Sequence, residues 1–199
     1  MILRFLLKVL RPIVEPQRLH STSQFEALPP ADVDVLFVGD SITELGHWSE
    51  WFPDVTVANR GIAGNTSAQV VDRLDALGTR AKTVFLLIGT NDLTLGIKED
   101  AITANVETIV THLQSTFAGA HIVVQSVMPR RKRWIARIRS LNARLASVAT
   151  AHGVEYLDLW PVLADANDEL DRSLSLDGLH LNGAGYQRWV GVLRPIVTR

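Results

Sequence analysis

The sequence predicts an α/β protein built on a parallel β-sheet with helices on both faces. Three observations carry that expectation. From residue 31 onward, short apolar runs alternate with longer amphipathic stretches, the pattern of strand–helix units in a parallel sheet. The run at 83–88 (TVFLLI) is almost wholly apolar, which suits a strand covered on both sides. The 199 residues are 47% hydrophobic and 21% charged, an ordinary globular composition that excludes global disorder and gives one domain's length with a sizeable core.

Residues 1–14 (MILRFLLKVLRPIV) put Arg4, Lys8 and Arg11 on one helical stripe, with Ile2, Leu3, Phe5, Leu6, Leu7, Val9 and Leu10 around the rest. Charges interrupt the apolar part and no small-residue cleavage site follows, so a signal peptide is not expected. The stretch is also too short and too charged to span a bilayer. An amphipathic helix packing on the body, or on a second copy to form a homodimer, is preferred over contact with a membrane surface. Pro12, Pro16, Pro29 and Pro30 then punctuate a connecting arm. Residues 1–30 are thus expected as an appendage and 31–199 as the domain. Strands are expected at 33–38, 55–58, 83–88, 122–127 and 154–159, which makes a five-stranded sheet. Helices are expected near 66–77, 98–117, 134–151 and 183–193. Thr66 or Ser67 can cap the first of these, and right-handed crossovers leave a few doubly wound topologies.

Charge and composition narrow the function. Twenty Lys and Arg against 21 Asp and Glu leave a net charge of -1, without the basic excess of a general nucleic-acid binder. Cysteine is absent, which excludes a disulfide scaffold, a thiolate nucleophile and Cys-ligated metal sites. That fits a reducing, cytoplasmic compartment. Outside residue 180, the histidines at 20, 47, 112, 121 and 152 show no metal-ligand spacing.

In open α/β sheets the ligand crevice lies beyond the carboxyl ends of the strands. Those positions carry Gly39-Asp40-Ser41, Asn59 to Asn65, Gly89-Thr90-Asn91-Asp92 and, after a long last loop, Asp177-Gly178-Leu179-His180. Each fragment alone is turn chemistry, and Ser41 alone can be read as a helix cap. Together the four bring the parts of an acyl-transfer site to one edge. A serine hydroxyl needs a base, histidine is the natural one, and a carboxylate three residues away can orient it. Gly64 and the Asn91 amide are suited to an oxyanion, with the Ser41 N–H as a third donor.

This set resembles the SGNH hydrolases, the GDSL esterase/lipase superfamily. Gly39-Asp40-Ser41-Ile42 is similar to the nucleophile block, NRGIAGNT (59–66) to the second, GTND (89–92) to the third and DGLHLN (177–182) to the last. The resemblance covers roughly 33–197 and implies a three-layer α/β/α sandwich of flavodoxin-like type, with no metal or organic cofactor. It implies Ser41, His180 and Asp177 as catalytic residues, and Gly64, Asn91 and the Ser41 N–H as the oxyanion hole. The GIAGNT and DGLHLN contexts look most like platelet-activating-factor acetylhydrolase catalytic subunits and related bacterial acetylesterases. Asn65 stands where that subgroup commonly has Asp.

Around this set, Asp40 is expected to hold the nucleophile loop through backbone bonds and Asp92 to do similar work. Gly61 is expected to serve a turn through unusual φ/ψ. The basic run 130–133 reads foremost as a solvated loop. Its alternative is substrate binding by Arg130, Arg131 and Trp134, with the arginines drawing an anionic leaving group and the indole stacking on substrate. The expected activity is hydrolysis of short acyl esters, especially acetyl, on a polar leaving group such as an acetylated sugar or lipid-like alcohol. The alternatives are a lysophospholipase or thioesterase for longer chains, or a binding protein that keeps the fold.

Overall fold

The computed structural model describes residues 16–29, 31–78 and 80–198. The helix expected over 1–14, and any pairing of chains through it, lies outside the described residues.

Residues 16–27 form a helix, α1, where the prolines suggested an irregular arm. β1 (Asp32–Gly39), β2 (Val57–Gly61), β3 (Arg80–Leu87), β4 (His121–Gln125) and β5 (Glu155–Leu157) follow. They form one all-parallel sheet in the order β2-β1-β3-β4-β5. This is the flavodoxin-like order, in which the crevice opens where the winding reverses, between β1 and β3. Register aligns the strand ends there: Gly39 of β1 lies opposite Gly61 of β2 and Leu87 of β3.

Alternate residues of each strand feed two cores, as the period of a strand requires. Leu36, Val38, Val84, Leu86, Ile122 and Val124 face one side. They pack on α4 (Ser67–Val71), α6 (Glu99–Thr116) and α7 (Lys132–His152). Val35, Phe37, Phe85, Leu87 and Val123 face the other side. They meet α3 (Trp48–Trp51), α8 (Trp160–Leu163) and α9 (Gly183–Val197). The chain is therefore a three-layer α/β/α sandwich. No helix among the described residues is long and apolar enough to cross a membrane.

The long helices lie where apolar periodicity put them; the departures are local. β2 begins at Val57 rather than 55 and runs on through Asn59-Arg60-Gly61, because the ladder with β1 continues to Gly39. The expected helix 66–77 divides into α4 and a 3₁₀ turn, Leu74–Leu77. Between them Arg73 turns inward, donating to the carbonyls of Gly39 and Arg60 at the ends of β1 and β2. Thr66 caps α4 through a complete capping box with Gln69.

Candidate active site

Ser41 leaves β1 as the first residue of a short helix, α2 (Ser41–Glu44). Asp40, not Ser41, is its N-cap, accepting the Ile42 N–H at 3.0 Å. The helix lies directly on strand backbone. A Cβ at Gly39 would clash with the Thr43 hydroxyl of α2, and one at Gly61 with the Glu44 nitrogen. Gly61 thus serves a close approach of two backbones, not a turn with unusual φ/ψ. Tyr186 of α9 secures α2 from the other side by donating to the Ile42 carbonyl at 2.6 Å.

The last loop brings a histidine to this serine across 139 residues. Ser41 Oγ lies 3.0 Å from His180 Nε2, and His180 Nδ1 lies 2.7 Å from Asp177 Oδ2. An ionised carboxylate only accepts, so the ring proton sits on Nδ1 and the Nε2 lone pair faces the serine hydroxyl. The other Asp177 oxygen accepts the N–H groups of Leu179 and His180, at 2.9 and 2.8 Å. Burial by itself would raise the Asp177 carboxyl. The bonds from the His180 ring and the two N–H groups outweigh it and hold the acid well below the usual carboxylate range.

Gly64 follows β2 with φ +74°, which a side chain rarely tolerates. Asn91 sits in the first turn of α5 (Thr90–Leu95) after β3 and donates to the Asn65 carbonyl at 2.9 Å. Asp92 ties these two segments together. Both its oxygens accept the Ser67 N–H, at 3.1 and 3.0 Å, and Oδ1 accepts the Ser67 hydroxyl at 2.6 Å. Asp40 and Asp92 thus each accept a backbone N–H bond in the loops around Ser41 and Asn91. Ser41, Gly64, Asn91 and His180 all line one cavity of about 290 Å³, which Glu44, Ile62, Ala63 and Leu179 also wall.

The model of the GDSL-like lipase/acylhydrolase family matches residues 37–188, well over half of the chain. The chain belongs to that family. It is a hydrolase with ester activity. Among its relatives, the rat platelet-activating factor acetylhydrolase IB subunit alpha2 is 28% identical over 178 residues, covering 83% of this chain and 76% of the relative. A Streptococcus pneumoniae structure described provisionally as a platelet activating factor superposes with TM-score 0.88 at 26% identity, covering 98% of this chain and 99% of the other. An acetylxylan esterase from Geobacillus stearothermophilus shares the fold, with TM-score 0.70 at 18% identity over 84% of this chain and 95% of the other.

Three residues of this GDSL-like acylhydrolase named as candidate substrate contacts stand outside the walls of that cavity. Arg130 is buried and donates to Thr94 Oγ1 at 2.8 Å, with longer contacts to Thr90. It stacks 4.4 Å from the centre of the Trp134 ring, so it braces α5 instead of forming a solvated loop. Arg131 is exposed and folds against Gly178. Arg73 escaped the sequence reading entirely. It bonds Asn65 Oδ1 at 2.7 Å and gathers the second block around one buried cation; no periodicity or motif marks that role. Burial, then the charges of Arg18 and Arg60, pushes its guanidinium down to about 10.

Proposed function

We propose that this chain is a serine esterase acting on short acyl esters, with Ser41, His180 and Asp177 as its triad. The observation that carries the reading is the hydrogen-bonded chain from Ser41 Oγ through His180 to Asp177, at 3.0 and 2.7 Å, beside a cavity walled by Gly64 and Asn91. Ser41 Oγ attacks the ester carbonyl while His180 Nε2 takes its proton. Asp177 holds the ring in the right tautomer and supports the imidazolium. The N–H groups of Gly64 and Ser41 and the Asn91 amide receive the developing oxyanion. The imidazolium then protonates the departing alcohol. Water, deprotonated by the same nitrogen, releases the acid and restores the serine.

The small cavity favours an acetyl-sized acyl group on an acetylated sugar or lipid-like alcohol. Relatives whose names include acetylhydrolase and acetylxylan esterase support the same choice. One observation favours a second reading with longer chains. A larger open groove of about 680 Å³, lined by Leu45, Trp51, Leu181 and Tyr186 among others, begins one residue from Glu44 and from His180.

A series of nitrophenyl esters from acetate to long chains, assayed with wild type and Ser41→Ala, tests both. The expected result is a maximum at acetate and a loss of several orders of magnitude in the variant. A maximum at long chains establishes the second reading. Undiminished hydrolysis by Ser41→Ala would falsify the nucleophile assignment, whereas no hydrolysis of any ester by wild type would leave a binding protein as the better account.

A further inference from the structure

Helix α1 meets the body with an unexpected face. Its half-buried residues are Arg18, Ser21, Thr22 and Phe25, spaced i, i+3, i+4, i+7 along one stripe. Leu19 points outward, 52% exposed, as does Leu28 just past the helix end, 49% exposed. A surface helix ordinarily buries its apolar stripe and shows its polar one to water. The inversion has a local cause. Gln17, Arg18 and Ser21 line the same cavity as Ser41, Gly64, Asn91 and His180. A helix facing a cavity that must take a polar ligand has reason to turn polar side chains inward. Phe25, about one turn from Ser21 toward the C-terminus, anchors the helix: the Arg60 guanidinium lies 4.8 Å from its ring centre.

The cavity's walls carry Arg18 and Glu44, and two further arginines lie beyond its lining. Arg18 adds to Arg60 and Arg73, whose guanidiniums are close enough for Arg73 to feel both of the others. Glu44, on the same cavity wall, accepts the Ala63 N–H at 3.0 Å. Burial raises the Glu44 carboxyl, while the Ala63 N–H and the charge of Arg73 pull it down. A guanidinium keeps its proton throughout the working pH range and offers a planar fork that matches carboxylate and phosphate oxygens.

We propose that α1 is the substrate-reading wall of the site and that Arg18 binds an anionic group, a carboxylate or a phosphate, carried by the ester. The proposal rests on the esterase reading of Ser41 and names the substrate class of that site. The anion can sit on either arm of the ester, and paired substrates tell which.

The test compares kcat/KM within pairs that differ by one anionic group. Phenyl acetate is set against 4-acetoxybenzoate and 4-acetoxyphenyl phosphate for the alcohol arm. Phenyl butyrate is set against phenyl hemisuccinate for the acyl arm. In wild type the anionic member of at least one pair is favoured about tenfold, as one charge-assisted bond allows. Arg18→Gln brings that ratio close to one, Arg18→Lys keeps part of it, and salt at about 0.5 M shrinks it in wild type. The carboxylate and phosphate arms separate the two anion sources. A ratio near one for every pair in wild type, or equal losses on both members in Arg18→Gln, overturns the proposal. Calorimetric titration of 4-hydroxybenzoate and phenyl phosphate into wild type and Arg18→Gln reads the same contact without turnover. Tenfold weaker binding to the variant upholds it even if Ser41→Ala hydrolyses esters as fast as wild type, and equal binding counts against it.

Discussion

The Asn91 amide shows how closely the site is wired at the level of single residues. One of its two N–H groups goes to the Asn65 carbonyl at 2.9 Å. That bond orients the amide so that the other can meet an oxyanion. Asn91→Ala should therefore lower kcat about 10²–10³-fold with a small change in KM, as loss of a donor used mainly in the transition state does. Steady-state kinetics on a nitrophenyl acetate decide it; a rise in KM at constant kcat would assign Asn91 to ground-state binding instead. Ser41, His180 and Asp177 could be picked out of the sequence as a candidate triad because few residue types can serve as nucleophile, base and orienter. Gly61 was misread because its reason is a neighbour's backbone, that of Glu44 in α2, 17 residues earlier in the chain and close only in space. Arg73 was invisible for a similar reason: its partners are carbonyls, which every residue carries.

Among the elements, length governed what could be read. α6 and α7 repeat their apolar stripe over 18 and 21 residues, so helical period stands out. α2, α3 and α8 have four residues each, less than two turns, and no period can show. α1 hid behind its own inversion, since its inward stripe is mainly polar. The joint between β4 and α7 depends on one buried amide. Asn142 accepts the Val127 N–H at 2.8 Å and donates to the Val127 carbonyl at 2.9 Å. Asn142→Ala strands both backbone groups, and should cost about 2–4 kcal/mol in urea unfolding. A loss below about 0.5 kcal/mol would show that water replaces the amide there.

Across the whole molecule, the site's buried acids link its chemistry to folding. Asp40 is fully buried, and burial pushes its carboxyl from 3.8 up to about 7 against the pull of the Ile42 N–H. Below about pH 4 the carboxyl is protonated in folded and unfolded chains alike. As pH rises from about 4 to 7 the unfolded chain gives up that proton while the folded one keeps it. Stability therefore falls through this window, by up to about 4 kcal/mol from Asp40. Asp92, also raised by burial, works in the same direction. Asp177 has the opposite sign, since its depressed carboxyl favours the folded chain above the ordinary carboxylate range. Asp40→Asn keeps an acceptor for Ile42 and cannot ionise, so its urea midpoint should vary less between pH 4 and 7 than that of wild type. An unchanged slope would show that Asp40 does not carry the dependence.

By itself the sequence determined the layer architecture and the long helices, and it put Ser41, His180, Asp177, Gly64 and Asn91 forward as the candidate site. Hydrophobic period and reactive side chains are local properties, written in residue type and spacing. Only the tertiary structure decided the strand order, the N-cap role of Asp40, the burial of Arg130 and Arg73, and the position of α1 over the cavity. Each of these is a meeting of segments distant in the chain, and such meetings are settled by packing and by the need to pair buried polar groups, neither of which has a local signature.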